Sequence, residues 1–183
     1  MPQPQTQQKE SKKKWMLLLL LLLLITLASV IMTVATLLKP STVMAPEYAP
    51  QSVDGNAEKL PSQGDADKLA TQEGGGAVSL TYSTQVTVDL SDGQASLLFQ
   101  NPARSTQDVV LQLVVGEDDQ ETLVAQSQLI PVGYSLDRME LEEPVLLTQG
   151  GYHGEFRVLC YDPGSGEKAV VNTVIPVDIT VQP

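Results

Sequence analysis

An uncharged apolar segment near the N-terminus places the strongest constraint on this chain. Residues 15–38 carry no charge, and residues 17–24 are all leucine. As a helix rising 1.5 Å per residue, the segment reaches about 36 Å, which spans the hydrocarbon core of a bilayer with some tilt. It is apolar on every face and is bracketed by Lys14 and Lys39, unlike the one-sided helices of soluble proteins. We therefore predict one transmembrane helix over residues 15–38, with the lipid bilayer as its partner.

The residues around this segment predict that it stays attached and that the N-terminus is cytoplasmic. A cleavable signal peptide has an apolar stretch of about 7–15 residues followed by a small-x-small site. This stretch is longer, and its candidate sites, which end at Ala45 and Ala49, are each followed by proline. One lysine follows the segment and four precede it, namely Lys9, Lys12, Lys13 and Lys14. By the positive-inside rule we expect a single-pass signal-anchor with a basic cytoplasmic tail, residues 1–14, and an extracytoplasmic C-terminal part in the cell membrane.

Charge is unevenly distributed along the 183 residues, whose net charge is −11. Residues 1–39 hold five lysines and one glutamate, a balance of +4. Residues 40–76 hold six acids and two lysines, a balance of −4, and residues 77–183 hold fifteen acids and four bases, a balance of −11. A domain this acidic repels phosphate backbones, so we expect no nucleic-acid partner. Negative charge also keeps a domain soluble without any binding role.

Residues 39–76 differ in composition from both flanking segments. They are rich in Pro, Gly, Ser, Gln and Asp, show isolated apolar residues without a period, and end in a triple glycine at residues 74–76. Such a composition is typical of a flexible chain. We predict a disordered linker over residues 39–76 that spans about 30–35 Å as a coil. The folded domain is then expected over residues 77–183.

Apolar and polar residues alternate through much of this C-terminal region, which is the period of a β-strand. The clearest alternations are Val86/Val88/Leu90, Ala95/Leu97/Phe99, Val109/Leu111/Leu113/Val115, Phe156/Val158/Cys160 and Ile175/Val177/Ile179/Val181. Pro176 predicts an edge position or a bulge within the last strand. About seven to nine short strands without a helical stretch predict an all-β domain, specifically an Ig-like antiparallel β-sandwich.

One local pattern supports the Ig-like interpretation. Leu147, Gly150 and Tyr152 are spaced as in a tyrosine corner, where the tyrosine hydroxyl bonds back to nearby backbone at a crossover between sheets. The second cysteine of an Ig disulfide usually follows two residues later, and that position is Gly154. The chain has a single cysteine, so we expect this topology without its disulfide.

The C-terminal region also resembles a known group of proteins. The resemblance is carried by Asn101-Pro102, Ser105, Gln107-Asp108, Gln126-Ser127, Ile130-Pro131-x-Gly133-Tyr134, Leu147-x-x-Gly150-x-Tyr152-x-Gly154, Gly166-Glu167-Lys168-Ala169, Asn172-Thr173 and Ile175-Pro176. Together with the anchor layout, residues 77–183 resemble small membrane-anchored surface proteins of clostridia-like Gram-positive bacteria. The resemblance implies an exposed bacterial β-domain and brings no activity or catalytic residue with it.

Few residues are suited to catalysis or metal binding. A serine hydrolase needs a base, and the one histidine, His153, falls on a polar face where it reads as an exposed turn residue. Cys160 shares a face with Val158 and Phe156 and is interpreted as a small buried hydrophobe. The acidic stretch 116–121 is the densest oxygen cluster, but adjacent acids in a hairpin diverge, so a solvated turn is favoured over a calcium site. We predict no catalytic residue, cofactor or metal.

The sequence favours a non-enzymatic, membrane-tethered extracytoplasmic module with an interaction or structural role. Its partner is expected to be an extracytoplasmic protein or a cell-wall component. A calcium- or cell-wall-glycan-binding module is the first alternative. A hydrolase is the second, and it would need carboxylates converging on one cleft. The domain carries four tyrosines and no tryptophan, which is a poor aromatic platform for sugars.

Overall fold

The structure is a computed structural model that describes residues 14–27, 29, 43–61, 67–71, 76–116, 121–144, 147–170 and 172–183. The chain divides into two compact units, Met1–Pro40 and Ser41–Pro183. In the first unit, residues 14–27 form helix α1, as leucine's helix propensity favours. No helix in the described part of the chain is long and apolar enough to cross a membrane. Residues 1–13, 28 and 30–38, with three of the four orienting lysines and the rest of the predicted span, lie outside the described residues.

The second unit is built from β-strands, as the alternating pattern predicted. Its described residues form nine strands, namely β1 (Ala57–Lys59), β2 (Thr81–Tyr82), β3 (Gln85–Asp89), β4 (Gln94–Asn101), β5 (Asp108–Val115), β6 (Thr122–Gln126), β7 (Tyr134–Glu140), β8 (Gly150–Tyr161) and β9 (Thr173–Gln182). They belong to one hydrogen-bonded network in the order β1-β7-β4-β3-β9-β8-β5-β6, and β2 pairs separately with β4. The all-β prediction is confirmed.

The sheet is mixed and curls back on itself. β3 runs parallel to β9, from the Gln85–Asp178 pair to the Asp89–Gln182 pair, so the prediction of a purely antiparallel arrangement is wrong there. β3 keeps the antiparallel pairing with β4 that β2 begins, and its other edge meets β9, which runs in the same direction as β3. At the far end the Glu142 amide donates to the Val124 carbonyl at 2.9 Å, which brings β6 against the end of β7.

The core lies inside the curl and consists of the inward side chains of the alternating strands. It is filled by Val86, Val88, Ala95, Leu97, Phe99, Val109, Leu111, Leu113, Leu136, Met139, Phe156, Val158, Ile175, Val177, Ile179 and Val181, with Val124, Ala125, Ile130 and Cys160. Phe99 and Phe156 are completely buried. Burying a side chain of this size contributes about 1.5–3 kcal/mol, so the alternation accounts for most of the driving force for folding.

Pro176 has the local environment that its residue type requires. It pairs with Glu155 of β8 on one side. On the other side the pairing with β3 begins only at Asp178, so no described strand needs the hydrogen bond that proline cannot donate. The strand is central from Asp178 onward and an edge before it.

The structure differs from the prediction of a disordered linker over residues 39–76. Residues 43–61 of that segment lie against the sheet, and β1 pairs antiparallel with β7 from Ala57–Leu136 to Lys59–Tyr134. The unit therefore includes residues well before the predicted boundary at 77. Composition missed this because the contacts are made by backbone groups and small side chains, which leave no period. Residues 62–66 and 72–75 lie outside the described part of the chain.

Candidate functional site

We call residues 43–50 the strap, because they cross the outer face of the sheet over β5 and β8. A second apolar cluster lies under it, formed by Val110, Leu159 and Tyr161, all at most 1% exposed. Ala45 and Ala49 of the strap pack against this cluster. β5 and β8 are thus buried on both faces here. Detaching the strap would expose the apolar side chains beneath it to water, which costs free energy.

Four hydrogen bonds fasten the strap to the sheet. The Tyr161 hydroxyl donates to the Pro46 carbonyl at 2.9 Å, and the Gln112 side-chain amide donates to the Met44 carbonyl at 3.2 Å. The Lys168 amide donates to the Glu47 carbonyl at 3.1 Å, and the Ala49 amide donates to the Gly166 carbonyl at 2.9 Å. Burial raises the pKa of the Tyr161 hydroxyl, which therefore stays protonated and remains a donor.

The chain beyond the strap continues the attachment. Asp54 accepts from the amides of Gln128 at 2.8 Å and Asn56 at 2.9 Å through its two carboxylate oxygens, and its own amide donates to the Leu129 carbonyl at 2.9 Å. The Leu60 amide donates to the Gly133 carbonyl at 2.8 Å, just after β1. Residues 43–61 are consequently fastened at several places along their length.

Two of the exposed residues of the strap are large and apolar, and Glu47 between them is exposed and charged. Met44 is 80% exposed and Tyr48 is 64% exposed, in contrast to the inward Ala45 and Ala49. Tyr48 forms an antiparallel bridge with Glu167, and three residues further on Val170 is fully exposed. Three large apolar side chains therefore project from the strap and the loop beside it.

The residues of the proposed tyrosine corner lie where β8 begins. The Tyr152 hydroxyl donates to the Thr148 carbonyl at 3.0 Å and accepts from the Thr148 amide at 3.2 Å, while Leu147 packs against the core. Hydrogen bonding to the Thr148 side chain, and next to its backbone, lowers the pKa of Tyr152. The hydroxyl bonds back to backbone four residues upstream, as the corner requires, but in an exposed position.

Gly154 has a packing reason to lack a side chain. A Cβ atom built there lies 2.6 Å from the Val114 carbonyl oxygen and 2.6 Å from the Ile179 side chain. Gly151, three residues earlier on the same strand, has open space at the same position. The place of the usual Ig cysteine is thus too close to the neighbouring strand for any side chain.

His153 is exposed, as predicted, but lies on β8 rather than in a turn. Its Nδ1 atom is 2.9 Å from an Asp178 carboxylate oxygen, and the other oxygen accepts from the Gln85 side-chain amide at 3.2 Å. The side chain is 96% exposed. A general base needs a nucleophile within hydrogen-bond reach. No hydroxyl or thiol among the described residues bonds to His153.

The part of the acidic stretch 116–121 that the structure describes is engaged in an ion pair. Both Glu121 oxygens accept from the Arg157 guanidinium, one of them at 2.9 Å, and Arg157 also donates to Glu155 at 2.6 Å. The Arg157 hydrogen bond lowers the pKa of Glu121, and the Glu121 bond raises the pKa of Arg157. Residues 117–120 lie outside the described residues. Where side chains are described, no group of three or more His, Cys, Asp or Glu residues could hold a metal.

Cys160 and Asp162 have structural surroundings. Cys160 is buried in the core and is one of the residues that line a cleft, together with Val78, Gln107, Lys168 and Thr173. Burial raises the pKa of its thiol, which disfavours the nucleophilic thiolate. Asp162 accepts from the Ser165 and Gly164 amides at 2.8 and 2.9 Å, and these bonds lower its pKa.

Comparisons with known proteins find only distant structural similarity. The chain matches no protein-family profile, and no curated protein matches it. Among solved structures, it is similar to AggA, the major subunit of aggregative adherence fimbriae type I from Escherichia coli, at a TM-score of 0.32 and 12% identity over 64% of this chain and 100% of that one. The CooA pilin subunit from enterotoxigenic Escherichia coli gives a TM-score of 0.28 and 14% identity over 58% of this chain and 99% of that one.

Proposed function

We propose that this chain is a single-pass, membrane-tethered module whose extracytoplasmic β-domain has a non-enzymatic interaction or structural role. The observation that carries the proposal is the strap. The polypeptide leading out of the apolar segment is fastened to the sheet through Tyr161, Gln112 and two backbone bonds. A domain bonded to the segment that connects it to its anchor is suited to being held near a surface, rather than moving freely on a long flexible linker.

Charge supports the orientation. Lysines crowd the N-terminal side of the apolar segment, whereas residues 77–183 carry a balance of −11. Cytoplasmic flanks of a membrane helix are enriched in lysine and arginine, and acidic residues contribute little to this bias. The acidic β-domain therefore belongs on the opposite side from the tail, in extracytoplasmic space.

The bonding of the polar residues supports a non-enzymatic role. Glu121 is paired with Arg157, His153 with Asp178, and Asp162 holds the backbone of its own turn. Catalytic acids and bases usually lie in clefts, where their surroundings shift their pKa values strongly. These groups are instead committed to fastening strands and turns.

The finer fold in this proposal is an Ig-like sandwich with an unusual fourth strand. Ig-type domains place strands A, B, E and D on one sheet and C, F and G on the other, with a tyrosine corner at the start of F. The order β2-β4-β7-β1 fits A-B-E-D, and β9-β8-β5 fits G-F-C with β6 outside it. Tyr152 stands at the start of the strand in the F position. The D position is filled by β1, which comes before the A strand in sequence.

This assignment restricts where a partner can bind. The outer face of β5 and β8 is occupied by the strap, so it is not free. Among the described residues the outer face of β9 and β3 is not covered by the strap. Val174, which is 54% exposed, shares this face of β9 with Asp178, which contacts Gln85 and His153. An extracytoplasmic protein or cell-wall component would bind there or at the loops.

Cysteine accessibility in intact cells tests the tether and its orientation. The lone buried Cys160 is replaced by alanine, and single cysteines are introduced as Ser11→Cys in the tail and Thr180→Cys on exposed β9. We expect a membrane-impermeant maleimide to label position 180 on intact cells and both positions after permeabilisation. Labelling of position 11 on intact cells, or labelling of position 180 only after permeabilisation, would contradict the proposal. Proximity labelling from the domain in the same cells then identifies the partner.

A further inference from the structure

The strap shortens the distance over which the domain can move away from its anchor. From residue 38, where the predicted span ends, to residue 43 there are five Cα–Cα steps, which reach about 18 Å when fully extended. A free linker over residues 39–76 would allow a far larger excursion. Because residues 43–50 are bonded to the sheet, the part of the sheet under the strap is also kept close to the end of the predicted span.

We propose that the strap end of the domain docks on the surface of the bilayer through Met44, Tyr48 and Val170. The inference rests on the proposed membrane tether and names the surface it brings to the lipid. The three side chains are 80%, 64% and 100% exposed. Their cost of exposure to water falls when they enter the interfacial layer.

The residue types suit an interfacial position. Tyrosine is enriched where a membrane meets water, because its ring is apolar and its hydroxyl is polar. Tyr48 faces away from the sheet, whereas its neighbour Ala49 faces the apolar cluster. The antiparallel bridge between Tyr48 and Glu167 holds the strap and the loop of Val170 side by side, so both enter the interface together.

Charge around these side chains selects the kind of lipid. Among the described residues near them in the chain are the acidic Glu47 and Glu167 and the basic Lys168. Acidic groups are repelled by anionic headgroups. The docking surface therefore prefers a zwitterionic surface such as phosphatidylcholine, and adding phosphatidylserine weakens the contact.

Fluorescence quenching by brominated lipid tests this on the full chain in phosphatidylcholine vesicles. The chain has one tryptophan, Trp15, inside the predicted anchor. Three proteins are compared: the unchanged chain, Trp15→Phe with Tyr48→Trp, and Trp15→Phe with Thr180→Trp. Thr180 is exposed and pairs with Gly151, about 33 Å along β8 from Tyr161, and is the matched control.

We expect strong quenching at position 15, clear quenching at position 48 that phosphatidylserine reduces, and none at position 180. Quenching at position 15 without quenching at 48 overturns the docking surface and leaves the tether intact. Absence of quenching at position 15 overturns both. Equal quenching at positions 48 and 180 also overturns the inference, because the domain would then contact the bilayer without a preference for the strap end. Matching thermal melts of the two variants establish that both are folded.

Discussion

The Tyr161 hydroxyl provides the sharpest test of how the strap is held. Tyr161→Phe removes one donor and keeps the buried ring, which is 0% exposed. The hydroxyl donates to the Pro46 carbonyl at 2.9 Å. A hydrogen bond of this kind contributes about 0.5–1.5 kcal/mol, and a fully buried orphaned partner costs about 1–3 kcal/mol. Pro46 is only half-buried, so water can replace the lost donor, and the low end applies.

We therefore expect a loss of about 1 kcal/mol, which lowers Tm by about 2–5 °C in a domain of this size. Detachment of the strap becomes about five times more frequent for that free energy. Hydrogen exchange measures it directly, at the Ala49 and Lys168 amides, whose acceptors lie across the strap contact. Both should exchange about five times faster, while amides in the middle of β8 follow only global stability.

The control is Tyr82→Phe, which removes a hydroxyl from a side chain that is 41% exposed. It should change neither Tm nor exchange at Ala49. Unchanged exchange at Ala49 and Lys168 in Tyr161→Phe would refute the reasoning, since the hydroxyl would then stabilise the sheet without holding the strap. A tyrosine-to-alanine change is less informative, because it also opens a cavity.

Three other outcomes follow from the structure. Gly154→Ala should cost about 1–3 kcal/mol through overpacking, whereas Gly151→Ala should be neutral or slightly stabilising, and urea unfolding that ranks them otherwise contradicts the close approach. A chain of residues 77–183 should have a lower Tm than one of residues 43–183 and bind a hydrophobic dye, and equal melting would show that the strap adds nothing. The pKa of Glu121 is lowered in the folded state, so its contribution to stability is complete above the unfolded value of about 4.3 and lost as pH falls through the folded value. The Tm difference between the native chain and Glu121→Gln should therefore be larger at pH 7 than at pH 3, and a constant difference would argue against the ion pair.

Strand positions could be predicted wherever packing on one face leaves a period of two. Val86 and Val88 of β3, and Ala95, Leu97 and Phe99 of β4, were placed on the buried face from alternation alone, and the structure buries them. The pairing of Tyr152 with backbone four residues away is also local, so a short pattern could indicate it. Pairing direction leaves no such mark, which is why the parallel β3–β9 pair was missed.

The strap and β1 could not be predicted from their own composition. Ala57, Glu58 and Lys59 have weak strand propensity, and their pairing with β7 comes from tertiary context. The informative signal lay in the partners. Between the alternating positions of β5 and β8, Val110, Leu159 and Tyr161 are also apolar, and a continuous apolar run is typical of strands buried on both faces. Something had to cover their outer side.

The position of the strap in the chain has a consequence for biosynthesis. The strap is synthesised before every strand of the sheet. The hydrogen bond from the Tyr161 hydroxyl to the Pro46 carbonyl, however, joins residues 115 apart in sequence. Contacts between residues so far apart in sequence form slowly, because closing the long loop costs entropy before the contact contributes any stabilisation. The ribosome thus releases the strap first, and the last-made third of the domain secures it. Until β8 and the loop after it are complete, the strap lacks the bonds to Tyr161, Gly166 and Lys168, so its attachment to the sheet is among the final events of folding.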